Sequence, residues 1–231
     1  MTGRKREYWV IPPKADAEFV ASMESVLETY ATPYESRHPV VCMDEQPVPL
    51  LKETRVPIPA TKEHPRRVDY EYGRAGVARL FLFCEPRVGW RSVTARERRT
   101  KVDWADELAA LLTGRYAAAE KVILVCDNLN THTIGALYER FDPATARSLV
   151  RRLEIRHTPK HGSWLNVAEC ELSAMTRQCV HGRRFGTLDE LRAETTAWQV
   201  HANDRQRGVD WQFRIDDARV KLKSLYPKML P

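Results

Sequence analysis

Residues 122–127 read Val-Ile-Leu-Val-Cys-Asp, five apolar residues in a row that end on a carboxylate. A run this short, continuous and β-branched reads as a strand buried on both faces. A second run closes in the same way, Val40-Val41-Cys42-Met43 leading into Asp44. Strands covered on both faces belong to α/β architectures, and open α/β sheets place their ligand sites at the carboxyl ends of such strands. One Asp in that position is more often a turn former or a helix cap. Two of them, at the tips of strands that can be neighbours, read as a site.

Working outward, Val77–Cys84 (VARLFLFC) and Val88–Thr94 (VGWRSVT) flank the turn-like Glu85-Pro86-Arg87 and predict a hairpin. Five prolines between Pro47 and Pro65 predict an extended loop before it. Apolar residues recur at helical spacing from Asp16 to Tyr30, after the helix-excluding pair Pro12-Pro13. Beyond the hairpin, Val102–Tyr116 predicts a helix with Trp104, Leu108, Leu111 and Leu112 on one side. Pro143–Arg152 predicts another, opened by proline, and Leu153–His157 a short strand. After the loop Thr158–Ser163, Leu165, Ala168, Leu172, Met175 and Cys179 form a helical stripe. Thr187 and Glu190 then give a capping-box signature for a helix carrying Leu188, Leu191 and Trp198, and a last short helix is expected over Asp217–Leu225. Strands that pair first by a hairpin and later by helical crossovers make an α/β mixed sheet with helices packed on it.

The 231 residues are 43% hydrophobic and 29% charged, which excludes a disordered or fibrous chain. No apolar run approaches the ~20 residues of a membrane span. The start, MTGRKREYWVIPPK, lacks the apolar core of a signal peptide, so a cytoplasmic protein is expected. Five cysteines, none in C-x-x-C spacing, support neither a disulfide framework nor a cysteine zinc site. The net charge is +6. Much of the basic excess sits in two stretches, Arg87, Arg91, Arg96, Arg98, Arg99 and Lys101, then Arg151, Arg152, Arg156, Lys160 and His161. Such stretches suit a nucleic acid, although either alone is equally a solvated face.

A third carboxylate comes from the helix after His161, where Glu169 and Glu171 flank the apolar stripe on opposite edges and periodicity leaves both open. Three converging carboxylates need a neutralising cation, and oxygen-only ligands suit Mg2+ or Mn2+. Two such ions, about 3.5–4 Å apart, can activate a water and stabilise the leaving oxygen at phosphorus. The pattern is that of a nuclease.

The segments VVCMDEQPV (40–48), VILVCDNLNTHT (122–133) and TPKHGSWLNVAECELSAMTR (158–177) resemble the three acidic motifs of DDE-superfamily transposases. More narrowly, they resemble the bacterial insertion-sequence transposases related to mariner, the family numbered six-thirty. The tail HANDRQRGVDWQFRIDDARVKLKSLYP (201–227) is similar to that family's C-terminal end, so the resemblance runs from about Trp9 to Pro227. It implies a ribonuclease-H-like mixed five-stranded sheet flanked by helices, its first three strands antiparallel. Residues 1–35 would be an N-terminal linker and helix, and 36–231 the catalytic domain with C-terminal helices.

The resemblance also implies metal-dependent DNA cleavage and strand transfer. Asp44, Asp127 and Glu169 would be the catalytic and metal-holding acids, Glu169 being preferred because it follows Asn166 by three. Two Mg2+ (or Mn2+) ions are expected. So are element-end and target DNA as partners, and a homodimer in the synaptic complex. The 42 positions from Asp127 to Glu169 exceed the usual mariner spacing and imply an insertion. DNA contacts are expected from Asn128, His132, Arg156, Lys160, His161 and Trp164. Asn128 is equally a good turn residue, His132 a loop histidine and Trp164 a core residue; Trp198 and Trp211 are expected in the core. The family's helix-turn-helix region has no counterpart in this sequence, which reads as a catalytic domain alone. Two other readings are a non-catalytic DNA-binding remnant and a ribonuclease-H-like nuclease acting on RNA–DNA hybrids.

Overall fold

The computed structural model describes residues 16–228, so the expected linker, with Trp9 and Pro12-Pro13, lies outside the described residues. Five strands form one sheet: β1 (Val40–Glu53), β2 (Tyr72–Glu85), β3 (Trp90–Arg96), β4 (Val122–Cys126) and β5 (Leu153–His157). Their order is β3-β2-β1-β4-β5. β1, β2 and β3 are antiparallel, whereas β4 runs parallel to β1 and to β5. Helix α1 (Ala17–Ala31) precedes the sheet. The parallel connections are made by α2 (Lys101–Thr113), then by α3 (Gly135–Arg140) and α4 (Pro143–Arg151). Helices α5 (Val167–Met175), α6 (Leu188–Asp204) and α7 (Ile215–Lys221) follow.

Strand alternation sorts the apolar side chains into two cores. Cys42, Leu80, Leu82, Cys84 and Val125 pack with α1, α5 and α6 on one face. Val41, Met43, Phe81, Phe83, Leu124 and Cys126 pack with α2, α3 and α4 on the other. With both faces covered, the central strands need apolar residues at every position, which is why they read as unbroken runs. Each large side chain fully buried here contributes ~1.5–3 kcal/mol. Trp198 is buried and donates to Gln178 at 2.8 Å, while Trp211 packs on Tyr30 and belongs to the periphery of the same core.

The loop expected from Pro47 is instead strand as far as Glu53. Only Val40–Cys42 of β1 pair with β4, so from there on β1 is hydrogen-bonded to β2 alone. Pro47 and Pro49 lie two apart, hence on the same edge, and a proline on an open edge removes no ladder bond. Val48 and Leu50 between and beyond them are buried and hold the strand to the core. The register shifts at Leu50/Leu51, opposite Gly76, whose φ of +112° suits a residue without a side chain. Helix α3 has no counterpart in the sequence expectations, and Cys179 joins the core from a π-helical turn (Thr176–Val180) that continues α5.

Helix α6 lies along the free edge of β3 and takes the place of a further strand. Arg91 N–H donates to Asn203 Oδ1 (2.8 Å), Asn203 Nδ2 to the Arg91 carbonyl (2.8 Å), and Val93 N–H to Gln199 Oε1 (2.7 Å). Arg192 Nε donates to the Ala95 carbonyl at 3.0 Å. At the β2–β3 turn, Gly89 (φ +72°) sits against the segment after α6, and a Cβ there would come within 2.6 Å of the Gln206 backbone. Among the described residues no helix is long and apolar enough to cross a membrane.

Candidate active site

Strands β1 and β4 pair in parallel with Val40 opposite Ile123 and Cys42 opposite Val125. The ladder stops there, and continuing its register by two residues would bring Asp44, inside β1, level with Asp127, just past the end of β4. Asp44 is largely buried and accepts a hydrogen bond from Glu45 N–H at 2.7 Å. Its carboxyl is pushed up to about 6, first by burial and then by the negative charges of Asp127, Glu169 and Glu45, against the lowering effect of that hydrogen bond.

Asn166 delivers the third acid. It is buried, caps α5 by accepting from Ala168 N–H (3.1 Å), and donates through Nδ2 to the Met43 carbonyl (2.9 Å). The first turn of α5 is thereby pinned to β1 one residue before Asp44, and Glu169 lies in that turn. Tyr30 adds a second tie, its hydroxyl donating to the Leu165 carbonyl at 2.8 Å. Glu171 faces elsewhere. Its two carboxylate oxygens receive Arg91 Nε (2.8 Å) and Nη2 (2.7 Å) in a nearly buried ion pair. Glu169 is exposed and in no ion pair among the described residues, so structure separates the two acids that periodicity left equal.

The second acid is held by histidine. His132 Nδ1 lies 2.6 Å from Asp127 Oδ1, and His132 Nε2 lies 3.0 Å from Glu45 Oε1. The other Glu45 oxygen faces Arg99 Nε at 3.2 Å. The imidazole also stacks on Trp104, with ring centroids 5.4 Å apart. Burial opposes its charged form, but hydrogen bonds to Asp127, Cys126 and Glu45 outweigh that and raise its pKa to about 11. His157 Nδ1 lies 3.2 Å from the Asp127 carbonyl, a further tether on the backbone of the same residue.

Of the expected DNA contacts, His132 is turned inward, Trp164 is half-buried and Arg156 keeps 40% of its side chain exposed. His132 is 1% exposed and turned toward Asp127 and Glu45, because its ring is matched on both nitrogens by carboxylates. Trp164 is half-buried, edge-on to Phe213 at 5.8 Å and packed against the core. Arg156, on β5, is paired with Glu154. Asn128, Lys160 and His161 are exposed on loops following β4 and β5, and His161 takes the left-handed conformation (φ +66°). In the first basic stretch only Arg91 is buried, paired with Glu171; Arg96 pairs with Glu107, Arg99 with Glu45 and Lys101 with Glu139 while keeping part of their surface exposed, and Arg87 and Arg98 are exposed. In the second, Arg152 donates to the carbonyls of Leu112, Tyr116, Ala117 and Ala119 near the end of α2.

Sequence reasoning missed Glu45, took Arg99 only as part of a basic stretch and used Asn166 only as a spacing mark for Glu169. Asn166 had a signal, an N-cap residue three before a Glu. Glu45 sits beside Asp44 in sequence, but nothing in the sequence ties it to His132.

Asp44, Asp127 and Glu169 would offer hard oxygen ligands of a charge that fits Mg2+ or Mn2+. Their mutual repulsion is visible in the raised Asp44. As the side chains stand, no group of three or more His, Cys, Asp or Glu among the described residues is gathered closely enough to hold a metal ion. Closure around a cation therefore requires the carboxylates to draw in.

Several solved structures share the fold. The Mos1 mariner paired end complex with Mn matches with a TM-score of 0.56 at 16% identity, covering 90% of this chain and 62% of that one. The Mos1 strand transfer complex matches with a TM-score of 0.62 at 15% identity, covering 98% and 68%. The Mos1 transposase catalytic domain with Raltegravir and Mg matches with a TM-score of 0.50 at 13% identity, covering 84% and 92%. This chain thus spans 62% and 68% of the Mos1 chains in the two complexes. The shared architecture is the ribonuclease-H-like one, a mixed five-stranded sheet between helices. Among curated proteins no sequence matches. The profile of the family described as DDE superfamily endonuclease matches residues 39–192, from just before β1 into α6, and the chain belongs to that family.

Proposed function

We propose that this chain is the catalytic part of a mariner-like transposase, which cleaves DNA at element ends and joins the freed 3′ end to target DNA. The observation that carries the reading is the convergence of Asp44 and Asp127 on adjacent parallel strands with Glu169 on the helix that Asn166 pins beside them. Residues 36–231 would form the catalytic unit, with α1 packed into its core.

Asp44, Asp127 and Glu169 would hold two Mg2+ or Mn2+ ions, which when bound supply Lewis acidity to an attacking oxygen and a leaving oxygen. The protein's own contribution is placement. The sheet fixes two carboxylates, α5 presents the third, and Asn166 and His132 limit their freedom. Lys160, His161 and Asn128, exposed on the neighbouring loops, are suited to phosphate contacts. Some of the Mos1 structures are paired-end complexes, and the reading carries DNA and a homodimer over to this chain.

The test is cleavage of duplex DNA by the purified chain with Mn2+. Asp127→Ala should abolish nicking while the fold survives. Equal nicking before and after that substitution would exclude the assignment. Faster cleavage of an RNA–DNA hybrid than of duplex DNA would favour the ribonuclease-like alternative.

A further inference from the structure

Resting on the reading above, we infer that His132 and Glu45 are positioning residues that fix which oxygen of Asp127 faces the reacting centre. Four side chains of alternating charge stand in line: Arg99 Nε to Glu45 Oε2 at 3.2 Å, Glu45 Oε1 to His132 Nε2 at 3.0 Å, and His132 Nδ1 to Asp127 Oδ1 at 2.6 Å. The two inner members are buried, Glu45 at 2% and His132 at 1% of their side-chain surface, while Asp127 remains 36% exposed. The line therefore runs from a partly exposed Arg99 through two buried side chains to the site.

Geometry makes the arrangement directional. His132 Nε2 faces Glu45 Oε1, while Nδ1 lies 3.2 Å from the Asp127 carbonyl oxygen and within ion-pair distance of Asp127 Oδ1, so one nitrogen holds both the backbone and the carboxylate of that residue. Trp104 stacks on the ring at 21° between planes and prevents it from tilting. Asp127 Oδ1 is buried beside His132 while the side chain as a whole stays 36% exposed, so Oδ2 is the oxygen left open and would be the one to meet a cation. Ligating carboxylates and their outer partners are commonly coupled in this way, and loss of the partner costs about 10–100-fold in metal affinity or activity. Glu45 also neutralises the imidazolium, and Arg99 prevents Glu45 from being left as a lone buried charge.

The two amide substitutions at His132 separate its nitrogens. His132→Asn places an amide donor near the Nδ1 position and keeps the grip on Asp127. His132→Gln places it near Nε2 and keeps only the contact with Glu45. Mn2+ binding by the full chain, followed by electron paramagnetic resonance, and the kcat and KM of DNA nicking are the readouts. His132→Gln should weaken Mn2+ binding and lower kcat by about 10–100-fold with KM for DNA little changed, and His132→Asn should recover most of both. Wild-type Mn2+ binding and kcat in His132→Gln, or equal losses in the two variants, would overturn the inference. If either variant fails to fold, Glu45→Gln decides. It keeps an acceptor for Nε2 but removes the charge, so weaker Mn2+ binding supports the positioning line and unchanged binding refutes it. Asp127→Asn separates this from the parent reading. Full nicking by Asp127→Asn defeats both, whereas loss there with none in His132→Gln defeats the positioning line alone.

Discussion

Arg91 grips Glu171 through two parallel hydrogen bonds, 2.8 and 2.7 Å long, in a place where neither side chain is more than 12% exposed. Arg91 also donates to the Gly89 carbonyl (2.6 Å) and the Arg207 carbonyl (2.7 Å), so one guanidinium joins the β2–β3 turn, the segment after α6 and the helix that carries Glu169. Removing one partner of a buried pair leaves an uncompensated charge and costs about 3–5 kcal/mol. Glu171→Gln should lower the stability measured by urea unfolding by a large part of that. Glu169→Gln should leave stability within about 0.5 kcal/mol, as exposed positions generally do, and abolish nicking. The reverse pattern would exchange the roles of the two acids.

Asn166 has two duties at one side chain, capping α5 and tying it to the Met43 carbonyl. Asn166→Ala should cost about 1–2 kcal/mol for the lost cap, with a further loss for the unpaired carbonyl. Asn166→Asp keeps the acceptor for Ala168 N–H but cannot donate to Met43. It should retain more helix stability than the alanine variant while still impairing nicking, and thermal unfolding alongside nicking rates checks both.

The edge of β3 depends on α6 side chains for its hydrogen bonds. Asn203→Ala leaves the Arg91 N–H and carbonyl without partners and should cost about 1–3 kcal/mol. Gln199→Ala frees the Val93 N–H as well. The double variant exposes a bare strand edge, and light scattering should register association that the wild type does not show.

Glu24 sets an acid limb and Tyr226 an alkaline one. Hydrogen bonding to Arg219 lowers the Glu24 carboxyl below its ordinary 4.5, despite some opposing burial. A lowered folded value means stability present above that ordinary value and lost as pH falls through the folded one. Glu24→Gln should therefore differ from wild type at neutral pH and converge with it in acid. Burial, with the hydrogen bond to Glu24, raises the Tyr226 hydroxyl from 10.0 to about 12. Its contribution is present below pH 10 and is lost as pH rises toward 12, so Tyr226→Phe should flatten stability across that interval. Denaturant midpoints against pH measure both.

The fold was legible because the stretches that cross the middle of the sheet are buried on both faces. VILVC and VVCM admit little but strand, and Asp127 follows at the end of the first, whereas Asp44 lies inside β1, which runs on to Glu53. The strand through Pro47 and Pro49 was not legible, since whether a proline lies on an open edge depends on how far a neighbouring strand extends, and β4 is only five residues long. The basic stretches were legible only in part. Arg91 is buried and Arg96 and Arg99 are not, but the acidic partners of all three are supplied by other elements, α5, α2 and β1. Periodicity could not rank Glu169 against Glu171, because the arginine that claims Glu171 lies 80 residues away.

The parallel ladder whose register, continued, brings Asp44 level with Asp127 divides the site mechanically. Neighbouring strands are ~4.8 Å apart, and a slip of one residue would turn a side chain to the opposite face. Asp44, inside β1, is therefore as stiff as the sheet, whereas Asp127, one residue past the end of β4, is held by His132 and His157. Glu169 rides on a nine-residue helix anchored at its first turn and running into a π-helical turn at its far end. Adjustment to a change of ion or of DNA geometry falls to that one helix, a hinged jaw closing on a fixed anvil.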